Sequence, residues 1–131
     1  MGKETAQRRL GNQGEQWVAD YLVRRGCTIL ARNWHCRYGE LDVVAASGPC
    51  ILFVEVKTRR RGTVSDLLET VGPGKQRRLV LAVQCYLMCH PEERRQPRLD
   101  VCVILAPQGV DTKEPQICYL KNSIQGDLWT G

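Results

Sequence analysis

Asp42, Glu55 and Lys57 are two carboxylates and an amine whose spacing would let them act together. Glu55 and Lys57 interrupt the apolar run ILFVEVKTRRR, from Ile51 to Arg61. Side chains alternate faces along a strand, so these two share one face while Leu52, Val54 and Val56 take the other. Glu40 and Asp42, in the preceding apolar stretch, share a face by the same rule. If the two strands form a hairpin with coincident polar faces, Glu40, Asp42, Glu55 and Lys57 converge on one patch. Crowded carboxylates repel, and partial burial strips their hydration. A divalent cation removes that penalty. Mg²⁺ takes oxygen ligands, keeps several waters, and is held by one or two carboxylates together with substrate phosphates. A protonated lysine is no ligand, but it can steady the attacking water or the charge that builds on phosphorus. The set therefore suits phosphodiester hydrolysis assisted by Mg²⁺ or Mn²⁺. The plainer alternative is a salt-bridged sheet edge in which Lys57 simply neutralises Glu55. Buried strand neighbours, a single hairpin between Asp42 and Glu55, and basic flanks favour the hydrolytic reading.

These residues need strands and helices to hold them. Gly11 to Arg25 carries Trp17, Val18, Tyr21 and Leu22 at helical spacing, and Gly26 stops it. Strands are expected over Thr28–Asn33, Tyr38–Ala46 and Ile51–Thr58, with Ala46-Ser47-Gly48-Pro49 turning the last two into a hairpin. A short helical turn around Asp66–Val71 precedes a Gly-Pro-Gly break, and a helix over Lys75–His90 ends at Pro91. Arg98–Leu105 reads as a strand and Ile117–Leu120 as an edge strand, while the tail Lys121–Gly131 is expected to be loosely ordered. A helix between the third and fourth strands implies that they pair in parallel. The expected class is α/β: one domain over residues 1–131, a small mixed sheet flanked by helices in the order αβββαβ, with its core in residues 11–105.

Composition narrows the partners. With 43% hydrophobic and 25% charged residues the chain can build a core and is not of disordered type. One Phe, three Trp and four Tyr argue against a base-stacking platform. Lys plus Arg less Asp plus Glu is 19 − 14 = +5, which is compatible with a nucleic-acid partner. The polar start MGKETAQRRLGNQGE has no apolar signal region, and no run reaches the length of a membrane span, so a cytoplasmic protein with no membrane contact is expected. The seven cysteines then read as reduced thiols. Cys85, Cys89 and His90 are the nearest approach to a zinc site, but they share one helix and lack a second ligand pair.

Asp42 followed by Glu55-Val56-Lys57 on the next strand resembles the PD-(D/E)xK nuclease superfamily, in which Leu41 here takes the place of the motif's proline. The resemblance extends to Gly11-Asn12-Gln13-Gly14-Glu15, Ala31-Arg32-Asn33-Trp34, Tyr38-Gly39-Glu40-Leu41-Asp42, Phe53 to Arg59, Lys75 to Leu79 and Arg98 to Val101. As an ordered set these motifs resemble the YraN-like family of small bacterial proteins, itself similar to archaeal Holliday-junction resolvases. The resemblance implies a restriction-endonuclease-like fold. It also implies a metal held by Asp42, Glu55 and the Val56 carbonyl, with Lys57 assisting the water. Glu15 on the first helix would complete the site. Gln76, at the start of the second helix, would lie near the metal. Glu40 would bind a second metal or position Arg37. Arg59, Arg60 and Arg61 after the third strand, with Lys75, Arg77 and Arg78 on the next helix, would hold phosphates beside the scissile bond, as would Arg37. No groove-reading motif is present, so backbone or branched shape is the expected target, DNA rather than RNA, with a homodimer matching the two-fold symmetry of a four-way junction. No small-molecule cofactor is expected. The rival is a non-catalytic nucleic-acid-binding or scaffold protein that keeps the fold. Several residues also have ordinary readings: Glu15 as a helix acid favoured by the dipole, Gln76 as solvated, Asp100 as a strand end, Trp34 as packing.

Overall fold

The computed structural model describes residues 5–123. Helix α1 (Ala6–Arg24) begins where the Thr5 hydroxyl accepts the Arg8 N–H at 3.0 Å, satisfying one of the helix's free donors. It starts before the apolar periodicity does, because Ala6 to Arg9 are all exposed and carry no hydrophobic signal. Gly26 ends the turn beyond it with φ +87°, in the left-handed region that glycine enters without steric penalty. Three strands follow: β1 (Thr28–Cys36), β2 (Gly39–Ser47) and β3 (Cys50–Arg59). Then come α2 (Val64–Glu69), α3 (Pro73–Cys89), β4 (Gln96–Leu105), a 3-10 turn over Gly109–Asp111, and β5 (Gln116–Leu120). The Gly-Pro-Gly stretch is not a break before α3 but its start: Pro73 takes the first helical position, where a missing N–H is harmless and its fixed φ is suited to a helix.

The sheet runs β1-β2-β3-β4-β5, antiparallel throughout except for β3 beside β4. That parallel pair is the one joined through α2 and α3, as a helical crossover requires. The result is the expected α/β restriction-endonuclease-like domain, in which α2 is the short helical turn and β5 the edge strand expected beside the αβββαβ core. α1 covers one face, packing Val18 and Leu22 on Val43, Ala45, Leu52, Val54, Cys102 and Ile104. α3 covers the other, packing Leu79, Val80, Val83 and Tyr86 on Leu41, Val44, Ile51, Phe53 and Leu99. α2 extends that second layer over β4, with Leu67 against Val101 and Val103. Trp34 packs edge-on against Tyr86, ring centroids 5.2 Å apart, as a core residue.

α1 lies close on the sheet at one point. A Cβ added to Gly14 would sit 1.8 Å from the Thr58 Oγ1, so only glycine lets the helix approach β3 here. Asp100, expected at a strand end, lies in the middle of β4 and is fully buried. It accepts three hydrogen bonds from the Arg98 guanidinium at 3.0–3.3 Å, one from the Tyr119 hydroxyl at 2.6 Å and one from the Asn122 N–H at 2.7 Å. That network ties β5 and the following turn to β4. Residues 121–123 are thereby held rather than loose, and the remainder of the predicted tail, 124–131, lies outside the described residues. Among the described residues, no helix is long and apolar enough to cross a membrane.

Candidate metal centre

Strand alternation fails between Ile29 and Ala31 of β1, where the register shifts, and again at a second place, where the site is built. On β2, Leu41 belongs to the α3-side core and Val43 to the α1-side core, although two residues separate like faces in a regular strand. β1 behaves in the same way: Arg32 reaches Gln16 of α1 at 2.8 Å, while Trp34 packs on the α3 side. Between them stands Asn33 at φ +52°, a left-handed conformation that asparagine tolerates better than most residues. Arg32 pairs with Val43 and Trp34 with Leu41 in unchanged register, so Asn33 and Asp42 lie opposite each other where the facing changes. Pairing between β2 and β3 likewise stops at Val43 and Val54. Beyond it the Asp42 carboxylate takes the place of a backbone acceptor, receiving the Val56 N–H on Oδ2 at 2.9 Å.

Three carboxylates meet at this kink. One oxygen each from Glu15 on α1 and from Glu40 and Asp42 on β2 lies within 4.8 Å of the others. They line a cavity of about 680 Å³ together with Arg8, Asn12, Asn33 and His35. His35 stands 3.9 Å from Glu40. Glu55 approaches from β3, buried, and is held on its Oε2 by Lys57 and Lys75, each at 3.5 Å. Burial pushes the Asp42 carboxyl up to about 8, helped by the Glu55 charge and opposed by the Val56 N–H. Burial raises Glu15 as well; its bond to Asn33 opposes this, and Glu40 adds to it.

The residues fit a divalent cation. Glu15 Oε1 is buried with no hydrogen-bond donor among the described residues. Buried acceptors of that kind are rare unless something positive faces them. Three carboxylate oxygens this close are a hard-oxygen donor set of the sort Mg²⁺ or Mn²⁺ takes. Glu15, Glu40 and Asp42 would hold it, with Glu55 beside them.

The profile of the "Uncharacterised protein family UPF0102" matches residues 14–104. The chain belongs to family UPF0102. A UPF0102 protein of Chloroflexus aurantiacus is 49% identical over 107 residues, covering 80% of this chain and 86% of its own length. One from Thermosynechococcus vestitus is 43% identical over 107 residues, covering 78% and 85%. One from Synechococcus sp. strain JA-3-3Ab is 40% identical over 133 residues and spans 98% of this chain and 99% of its own. This is the YraN-like family that the ordered motifs point to.

In this UPF0102 member the geometry sorts the residues singled out from sequence. Asp42, Glu15 and Glu40 come together. Glu55 and Lys57 lie beside them but face the α3 side, so the four polar groups do not share one face as strict alternation predicts. Val56 contributes its N–H to Asp42. Gln76 is not at the acids: its amide donates to the Val71 carbonyl at 2.8 Å and lines a separate cavity with Leu68, Val101 and Leu120. The late start expected for α3 misplaces it, since a helix from Pro73 turns Gln76 toward the loop it caps. Lys75, read as a phosphate contact, instead pairs with Glu55. Glu40 does not position Arg37, whose guanidinium bonds and stacks on Tyr38; His35 is its neighbour. Arg59 and Arg60 bond to the carbonyls of Thr58 and Pro107. Arg61, Arg77 and Arg78 are exposed. Sequence reasoning missed Asn33 and Arg8. The Asn of Ala31-Arg32-Asn33-Trp34, inside a strand, was the available sign of a left-handed residue. Nothing in the sequence links Arg8 to the acids.

Proposed function

We propose that this protein is a nuclease that hydrolyses phosphodiester bonds with Mg²⁺ or Mn²⁺, acting on DNA in preference to RNA and on branched or damaged DNA in particular. One observation carries the reading: Glu15, Glu40 and Asp42 converge on a shared point in an open cavity, with Lys57 and Lys75 beside them on Glu55. When bound, the cation supplies Lewis acidity toward a phosphoryl oxygen and makes water a better nucleophile. The chain supplies the rest. Asp42 is fixed by the Val56 N–H, so its free oxygen is aimed at the cavity without reorganisation. Lys57, anchored on Glu55, places a positive charge near the point where negative charge would grow on phosphorus. Exposed arginines around the cavity would position the strand through its backbone rather than through base edges. A cytoplasmic setting is part of the proposal, and so is a homodimer on four-way junctions.

The test compares wild type with Lys57→Ala and Asp42→Ala on labelled linear, flap and four-way-junction DNA, in Mg²⁺, Mn²⁺ or EDTA. Cleavage that needs metal and is lost in both variants is expected. Tight binding without cleavage by folded wild type would replace the enzyme with a binding or scaffold protein of the same fold. The absence of both binding and cleavage would overturn the nucleic-acid reading.

A further inference from the structure

Three cavities adjoin along the N-terminal half of α1. The acid cavity contains Arg8 and Asn12. Asn12 also lines a second, with Arg9, Gln16 and Arg32. Arg9 in turn lines a third, of about 430 Å³, with Thr58, Arg59 and Arg60. Asn12 is common to the first two and Arg9 to the last two, so the three lie in series along the helix, leading away from the carboxylates.

The charges along that groove are positive beyond its acid end, where Arg8 lines the carboxylate cavity and Arg32 interacts with Glu15. Arg32 is held by the amide oxygen of Gln16 at 2.8 Å, Arg59 by the Thr58 carbonyl at 2.8 Å, and Arg60 by the Pro107 carbonyl at 3.4 Å. Each guanidinium is oriented by a neutral acceptor, which fixes the side chain without cancelling its charge. Asp111, at the far cavity, is the carboxylate that opposes them there. The α3 side differs: Lys57 and Lys75 are both ion-paired with the one carboxylate of Glu55. Oriented guanidinium forks suit phosphate oxygens better than mobile ammonium groups do.

We infer that a nucleic-acid strand runs along the N-terminal half of α1, its backbone phosphates held by Arg8, Arg9 and Arg32 and then by Arg59 and Arg60, while Arg77 and Arg78 on α3 stay outside the contact. This rests on the nuclease reading above, of which it fixes the substrate path. The contact is to phosphates and is one-sided with respect to the acids, so it is independent of base sequence.

The test is a salt titration of DNA binding by fluorescence anisotropy, in EDTA and again in Ca²⁺, on single-stranded and duplex oligonucleotides. Wild type is compared with the triple variant Arg8→Gln, Arg9→Gln, Arg32→Gln and the double variant Arg77→Gln, Arg78→Gln, all checked by thermal melting. Each lost phosphate contact makes the slope of log affinity against log salt shallower by about 0.9 on duplex and about 0.7 on single strands. The triple variant is therefore expected to lose about 2 to 3 in slope and the double variant less than about 0.5. If the triple variant fails to fold, Arg8→Gln and Arg9→Gln singly carry the test, each losing about 1. A slope unchanged in the α1 variants but reduced in the α3 variant overturns the inference and leaves the nuclease reading standing. No DNA binding by wild type in either buffer overturns both.

Discussion

Asp42 should weaken the fold that contains it, and replacing it with asparagine should reveal by how much. Its folded-state value, about 8 against an ordinary 3.8, means that the folded protein disfavours the charged form. Between those two pH values the folded state holds a proton that the unfolded chain has released, so stability falls as pH rises from about 4 to about 8 and then levels. At 1.36 kcal/mol per unit, the full shift corresponds to a ceiling of about 6 kcal/mol. Water at the cavity mouth and an effective dielectric nearer 20 than 4 reduce this, leaving an expected penalty of about 2 kcal/mol at pH 8. Asp42→Asn removes the charge and keeps an oxygen for the Val56 N–H. At roughly 3–5 °C per kcal/mol for a chain of this size, its melting temperature should exceed that of wild type by about 6–10 °C at pH 8, with little difference at pH 4. Thermal melts in EDTA across pH 4–9 measure it. Mn²⁺ should narrow the gap at pH 8 by stabilising wild type more than the variant, since only wild type keeps the full ligand set. A variant no more stable than wild type at pH 8, or a gap that ignores pH, would refute the reasoning.

Gly14→Ala should destabilise by about 2 kcal/mol despite alanine's better helix propensity, because its Cβ meets Thr58 Oγ1; adding Thr58→Ala should recover most of that, measured as coupling in urea unfolding. Asp100→Ala leaves the Arg98 guanidinium, the Tyr119 hydroxyl and the Asn122 N–H without their acceptor, and should cost about 3–5 kcal/mol with amide exchange in β5 rising first. Asn33→Ala should destabilise by about 1–2 kcal/mol through backbone strain at φ +52° and should lower Mn²⁺ affinity, by calorimetry, through loss of its hold on Glu15. An unchanged affinity would mean that Asn33 shapes the strand only.

Much of the fold was legible because its signals are local. Alternation and apolar runs place β2, β3 and β4, and the parallel pairing follows from the helices between β3 and β4. The site was legible in its residue types and less so in its geometry. Asp42 and Glu55 were found because they stand in apolar strands. Their arrangement was not, since a period-two rule cannot foresee a residue that leaves the period. The pairing of Lys75 with Glu55 was hidden for a related reason: charge counts show where cations are and not which of them a buried carboxylate will claim. Gln76 depended on where α3 begins, and helix boundaries are the weakest part of any sequence reading. Arg8 lies 34 residues before Asp42, and only the packing of α1 on the sheet relates them.

The irregularity at Asn33 and Asp42 constrains how this chain can change in length. One extra residue in a single strand would reverse the facing of everything beyond it. Here each strand of the pair carries its own, and the two cancel, so the β1–β2 hairpin keeps its register on both sides of the kink. A deletion at Asn33 alone would turn Trp34 and Cys36 out of the core, and a deletion at Asp42 alone would do the same to Leu41. Only a matched deletion would restore a regular ladder, and it would erase the inlaid carboxylate with it. Insertions and deletions at this kink are therefore tolerated in pairs or not at all, unlike the unmatched residue that β1 carries between Ile29 and Ala31, whereas substitutions at either position need satisfy only local geometry.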